Sequence, residues 1–416
     1  MLAAGAGLCL GAGGIAAWRY WPDQGFINPC RSPLPDALAQ HELVRAAWDG
    51  VDPAKVWDVH CHLVGNGDSG TGASGSGIYP EPSTQGRLNP RSYVQRRFFM
   101  NAGCVRDVPG EVDISYVQRM RELCDGMRPG VKLLLLALDA SVNEQGAEAW
   151  EQTSLYISNQ YAAAVARRHP QCFEWAASVH PYRRDCVERL QAAVSAGARA
   201  LKWLPSAMGI DPASKLCDPF YAALARLDVP LITHAGLERA LAGTDMQEWG
   251  NPLRLRRALD HGVRVVVAHC ASMGDHFEID RDERGAATGS FELFARMMDE
   301  PRYVGRLYGD ISAMTQTARA GPALRRVIER EDWHPRLLNG SDYPLPGVFP
   351  LYSVNYMVEQ GYIDRNSAPL LQGLREYNPL LFDFVLKRSL RAGGKRLAAA
   401  IFETRNFFKP IPGFTR

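Results

Sequence analysis

The stretch VWDVHCHL at 56–63 decides the fold. An apolar lead of Val56, Trp57 and Val59 runs into His60 and His62, with one residue between them. Along a strand, side chains at i and i+2 leave on the same face. The two imidazoles therefore emerge together where this strand ends. Outward from here the same design recurs seven times: VKLLLLALDAS (131–141), FEWAASVHPY (173–182), ARALKWLP (198–205), VPLITHAG (229–236), VRVVVAHCAS (263–272), YVGRLYGDISA (303–313) and PRLLNGSDYP (335–344). Several are continuous apolar runs of the kind expected of strands buried on both faces.

Helix signals fall between these strands. Asp185 with Glu188 predicts a capping box, and Gly197 sits where a C′ glycine belongs. Asp218-Pro219 and Asn251-Pro252 each predict an N-cap followed by proline at the first helical position, with Gly262 ending the second helix. Further helices are predicted around 113–127, 153–169, 290–300 and 321–331. Strands alternating with helices imply parallel strands with right-handed crossovers, and eight such units make an α/β fold, a (β/α)8 TIM barrel. The division expected is an apolar segment at 1–22, an N-terminal extension at 23–55, the barrel over 56–400 with long loops at 64–112 and 273–290, and a tail at 401–416. Both loops follow strand C-terminal ends and overhang the face where barrel enzymes work. The Gly/Ser-rich 65–77 is either part of a lid or a tether.

Composition narrows the function. Of 416 residues, 46% are apolar and 22% charged, as in a soluble globular protein. Lys plus Arg is 47 and Asp plus Glu 45, a net charge of +2, which argues against nucleic acid as a main partner. The nine cysteines are odd in number and contain no CxxC pair, so neither a disulfide framework nor a structural zinc module is expected. The uncharged run LAAGAGLCLGAGGIAAW at 2–18 reads as an export signal or marginal membrane anchor, with a locally packed tail as the alternative. A periplasmic or membrane-anchored protein is thus favoured over a cytoplasmic one. A homodimer is an open option.

The chemistry lies at the strand ends. His60 and His62, His234 after VPLIT, His269 after VRVVVA, Asp342 after LLNGS and Lys202 within ALKW each follow apolar runs. Each would be costly there without a partner. A divalent cation supplies one: imidazole and carboxylate donors around an open position form a catalytic metal site, zinc being the natural ion. His180, Trp203, Arg281 and Arg284 are candidates to meet the substrate, with a structural role as the alternative for His180 and a solvated surface as the alternative for the two arginines, and Asp310 either faces the same rim or orients a ligand histidine. Cys61, between two candidate ligands, is expected to point away from the metal; Cys270 likewise follows a candidate ligand, and neither is assigned a role.

This pattern resembles the amidohydrolase superfamily, in its branch of amidohydrolase-related (Amidohydrolase 2 type) barrels. The residues that carry the resemblance are DVHCHL (58–63), ALKWLPSAMGIDP (200–212), PLITHAG (230–236), VVVAHCA (265–271), YGDIS (308–312) and LLNGSDYP (337–344), with weaker similarity at IFETRNFF (401–408). The resemblance implies that His60, His62, His234 and Asp342 contact metal. In binuclear members His269 is a further ligand and a carboxylated lysine at the position of Lys202 bridges two ions. In mononuclear relatives such as aminocarboxymuconate-semialdehyde decarboxylase the second histidine is a catalytic group instead, so one or two ions fit.

The function expected is a metal-dependent hydrolase that uses a metal-activated water on an amide, ester or lactone bond of a small molecule. Asp342 would move the proton and His269 would assist at the oxyanion. The alternatives are a non-oxidative decarboxylase of an aromatic or unsaturated acid, and a non-catalytic barrel that binds a ligand.

Overall fold

The computed structural model describes residues 23–408 apart from 70–77, 80–89, 242–245 and 282–286. The apolar run at 2–18, Cys9, most of the Gly/Ser stretch, Arg284 and the last eight residues lie outside the described residues.

All eight expected strands are present: β1 Trp57–His62, β2 Lys132–Leu136, β3 Phe173–Ala176, β4 Leu201–Trp203, β5 Leu231–His234, β6 Val265–Ala268, β7 Leu307–Asp310 and β8 Leu337–Leu338. They pair in parallel in two arcs, β1-β2-β3 and β4-β5-β6-β7-β8. Parallel bridges Ala177↔Leu201 and Cys61↔Tyr343 join the arcs at both seams. The β8–β1 seam is further closed by Val59 N–H to Asn339 O at 3.1 Å and Asp342 N–H to His60 O at 2.8 Å. The ring is therefore a closed α/β barrel.

The strands stop earlier than the apolar runs suggest. The chain turns out of the ladder at the C-terminal ends: His269, Cys270 and Ala271 have φ of 55°, 48° and 50°, and Asp342 has φ 61°. Such left-handed conformations at non-glycine residues are costly and cluster at functional sites.

Inside the ring, Trp57, Val59, Leu134, Leu136, Ala200, Ile232 and Val266 share one apolar cluster with Phe408. Lys202 and His234 follow Ala200 and Ile232 at i+2, so the pleat also turns them inward. In β1 the register slips by one residue between Asp58 and Cys61. This bulge lets Val59 pack inside while His60 and His62 also face the barrel mouth. The 401–408 segment packs under the opposite end: Thr404 Oγ1 accepts from Trp57 N–H at 3.2 Å, and Phe408 stacks on Trp57 at 5.8 Å.

Helices Val112–Asp125, Asn159–Arg168, Ser290–Met298 and Pro322–Glu329 form where expected, and three more follow β8 at Val354–Glu359, Ala368–Tyr377 and Pro379–Ser389. Asn251 caps its 3-10 turn through Leu253 N–H, and Gly197 sits at φ 96°. Two caps do not form. Asp185 accepts no capping bond and pairs with Arg189 at 2.8 Å, and Asp218 lies inside its helix and binds Arg257 at 2.6 Å. In both cases an arginine takes the carboxylate from the backbone N–H.

The cysteines also need a correction. Cys30 and Cys104 form a disulfide across 74 residues. The fold alone makes that pairing, and no short motif announces it. The six free cysteines among the described residues are buried, as small core residues are.

Candidate metal centre

Five strand ends deliver the donors. From β1, His60 Nε2 lies 3.2 Å from His62 Nε2. Asp342, after β8, places Oδ1 3.1 Å from His62 Nε2 and 3.5 Å from His60 Nε2. Its Oδ2 lies 3.6 Å from His269 Nε2, after β6. Lys202 Nζ, from β4, lies 3.0 Å from His60 Nε2. His234, at the end of β5, packs edge-on against His269 with ring centroids 5.5 Å apart. His60, His62 and Asp342 form a group whose donor atoms all converge.

Hydrogen bonds fix which nitrogens face the cavity. His60 Nδ1 meets Asp310 Oδ2 at 2.9 Å, and His269 Nδ1 meets the Ser312 carbonyl at 3.0 Å. A carboxylate and a carbonyl only accept, so each Nδ1 carries the proton and each Nε2 presents a lone pair. Asp310 Oδ1 also takes the backbone N–H groups of His269 and Ser312, both at 3.0 Å, and the hydroxyl of Ser312. Behind the site, Asp58 Oδ1 accepts from Ser341 N–H at 2.8 Å and His60 N–H at 3.1 Å, tying β1 to the turn after β8. Gly340 is required there, because a Cβ would stand 2.7 Å from His60 Cβ.

The electrostatics suit neutral imidazoles. Burial pushes His62 down, His234 down to about 4 and His269 well below its ordinary value. Burial also pushes Lys202 down to about 8, against the pull of Asp310, Asp342 and Glu238. Burial raises the Asp342 carboxyl, but His269, His60 and His62 outweigh it and hold it well below the usual carboxylate range. Neutral histidines beside an ionised carboxylate are the donor states a divalent ion requires. The residues present fit such an ion.

The donors sit at the base of a cavity of about 560 Å³. Its walls are largely apolar, from Phe98, Phe99, Leu138, Leu155, Val348 and Leu351. Arg96, Arg239 and Arg319 also line it. Arg319 Nη1 donates to Ser272 Oγ at 3.2 Å, while its buried Nε has no partner among the described residues. Burial lowers this guanidinium, with Asp342 and Glu238 pulling the other way.

Three residues considered for substrate contact lie away from the cavity lining. Trp203 is fully buried on the outer side of β4, donating from Nε1 to Val179 O at 2.9 Å and stacking on Phe220. The pleat that turns Lys202 inward turns its neighbour outward. His180 is buried against Met208 O at 3.0 Å and accepts from Tyr182 N–H. Arg281 is 67% exposed and pairs with Glu278 at 3.1 Å. Its loop forms a hairpin, Asp275–Phe277 with Ala287–Gly289, and contributes only Met273 to the cavity among the described residues. Cys61 does turn away, with Sγ 3.6 Å from Ser341 Oγ, and Cys270 donates to Asp310 O. Sequence reading missed Arg319 and Glu238. Glu238 follows His234 at i+4, but in a loop that spacing has no periodic meaning, and Arg319 has no motif around it.

A family model described as Amidohydrolase matches residues 57–362. No curated protein matches the sequence. Among solved structures, the chain is similar to an uncharacterised TIM-barrel protein from Bordetella bronchiseptica at 16% identity, covering 76% of this chain and 99% of that one, with a TM-score of 0.42. It is similar to a probable 2-pyrone-4,6-dicarboxylic acid hydrolase from Acinetobacter baumannii at 12% identity, covering 76% and 95%, with a TM-score of 0.44. A 2,6-dihydroxybenzoate decarboxylase from Rhizobium gives 13% identity, coverage of 79% and 98%, and a TM-score of 0.39. Among the described residues no helix is long and apolar enough to cross a membrane.

Proposed function

Because the chain belongs to the amidohydrolase family, we propose that it is a metal-dependent hydrolase that opens an amide, ester or lactone bond in a small organic substrate carrying an anionic group. The observation that carries this reading is the 3.0 Å approach of Lys202 Nζ to His60 Nε2, inside a ring of His62, His234, His269 and Asp342. His60, His62 and Asp342 would hold one ion, and a second would draw on His234, His269 and Lys202. The imidazole and carboxylate donors suit Zn2+. With its amine pushed down to about 8, Lys202 has a neutral fraction near neutral pH. That lone pair can add to CO2, losing one N–H proton to solvent, to leave a carbamate whose oxygens would be further donors.

When bound, the ions supply Lewis acidity and acidify a coordinated water. The chain does the rest. Asp342 is ionised and faces both His62 and His269, so its free lone pairs can accept the water proton and hand it to the leaving group. Asp310 and Ser312 keep Nε2 of His60 and His269 as lone-pair donors. The apolar walls exclude bulk water, and Arg319 offers an incompletely paired cation to a substrate anion.

The test is metal analysis of purified protein with a screen of ester, lactone, amide and carboxylic-acid substrates. Bound metal with ester, lactone or amide turnover, lost in His60→Ala, supports the reading. CO2 release from a carboxylic acid without hydrolysis would replace it by the decarboxylase. No bound metal, together with unchanged activity in His60→Ala, would sink it.

We also propose export from the cytoplasm. The Cys30–Cys104 disulfide supports it, since such bonds persist in oxidising compartments, as does the apolar run at 2–18. Fractionation of the expressing cell with thiol counting decides it; a fully reduced cytoplasmic protein is the contrary outcome.

A further inference from the structure

Glu238 reaches the cavity from the loop after β5, four residues beyond His234, and is 7% exposed. The described residues around Glu238 are pinned by backbone bonds. Gly236 N–H donates to Gly250 O at 2.7 Å, Leu237 N–H to Met273 O at 2.8 Å, and Glu238 N–H to Gln247 Oε1 at 2.9 Å. Gly236 holds φ 86°, and a Cβ there would meet Met273 O at 2.6 Å, so the turn admits no side chain. The carboxylate is thus delivered by a fixed backbone.

Its two oxygens have different surroundings. Oε1 accepts from Ala240 N–H at 2.5 Å and Leu241 N–H at 3.2 Å. Oε2 stands 3.4 Å from Nε2 of His234. That is long for a charge-assisted hydrogen bond, which closes to about 2.7–2.9 Å. It is the separation of two donors sharing one ion: at about 2.0–2.1 Å from a tetrahedral zinc, ligand atoms stand about 3.4 Å apart. The donor pairs among His60, His62 and Asp342 span the same range, 3.1 to 3.5 Å.

We infer that Glu238 is a carboxylate ligand of the ion held by His234. This rests on the two-ion reading above. Among the described residues that line the cavity, Glu238 is the one carboxylate besides Asp342. It lets that ion bind without relying on Lys202 carboxylation alone. Gln247, Gly250 and Met273, which hold the loop, act as positioning groups.

The test is Co2+ titration of the metal-stripped full chain, read by equilibrium binding and visible absorption. Wild type is compared with Glu238→Gln, which keeps one oxygen for the Ala240 and Leu241 N–H groups. Wild type is expected to take two ions. In Glu238→Gln one ion should bind about tenfold to hundredfold more weakly with an altered spectrum, while the other keeps its affinity and the thermal midpoint of the stripped protein holds. If Glu238→Gln does not fold, Glu238→Asp, which retracts the carboxylate, should show the same selective weakening. Wild-type affinity and spectrum for both ions in the folded variant would overturn the assignment. A wild type that takes no Co2+ would overturn the metal reading itself.

Discussion

Asp310 accepts the Nδ1 proton of His60 at 2.9 Å, with both side chains sealed from solvent. The contact spans 250 residues and sets the imidazole's tautomer. Replacing the carboxylate by an amide weakens that control. Asp310→Asn should reduce metal affinity about tenfold to hundredfold, measured by competition with a chromogenic chelator. Unchanged affinity would show that His60 needs no such partner.

Asp342 should matter for the rate. Asp342→Asn preserves shape but removes the proton acceptor, so kcat should fall about 10²- to 10⁴-fold with little change in KM. Steady-state kinetics on the metal-loaded variant decide it, and a kcat within twofold of wild type would remove Asp342 from proton transfer.

Lys202 distinguishes one ion from two. Lys202→Ala should weaken the binding of one of the two ions and cost about 3 kcal/mol of barrier, a hundredfold or more in kcat/KM. Metal stoichiometry measured beside the kinetics is the check. Two ions retained at full affinity would argue that the lysine bridges nothing.

Arg319 should select for charge. In Arg319→Met an anionic substrate should lose about 2 kcal/mol of binding, roughly thirtyfold in KM, while an uncharged analogue is nearly unaffected. Equal losses on both would mean that the arginine only shapes the wall.

His180 makes acid a structural stress. Burial pushes its imidazole down to about 4 from 6.5. As pH falls, the unfolded chain takes the proton first. The stability is therefore fully present above about 6.5 and is lost as pH drops through about 4. In that window His180→Gln should unfold with a pH slope shallower by about one proton, read from urea midpoints at several pH values. An unchanged slope would assign the acid sensitivity elsewhere.

Much of this was legible in one dimension. Strands buried on both faces must be continuous apolar runs, so all eight showed, and several titratable residues at the ends of such runs, taken together, point to a site. That logic placed His60, His62, Lys202, His234, His269 and Asp342 correctly in one cavity. It failed where a residue's direction depends on something non-local. Trp203 has the right position along β4, but the pleat sends it outward. His180 ends a run too, and of its two readings the packing against Met208 O favours the structural one.

By itself, then, the sequence determined the barrel and the donor set, because hydrophobic period and strand-end chemistry are local properties of the chain. Tertiary structure alone decided the rest: the bulge in β1 that turns both histidines inward, the Cys30–Cys104 bond, and the arrival of Glu238 and Arg319 in the cavity. Each depends on segments far apart in the chain meeting in space, and no periodicity in the sequence encodes such a meeting.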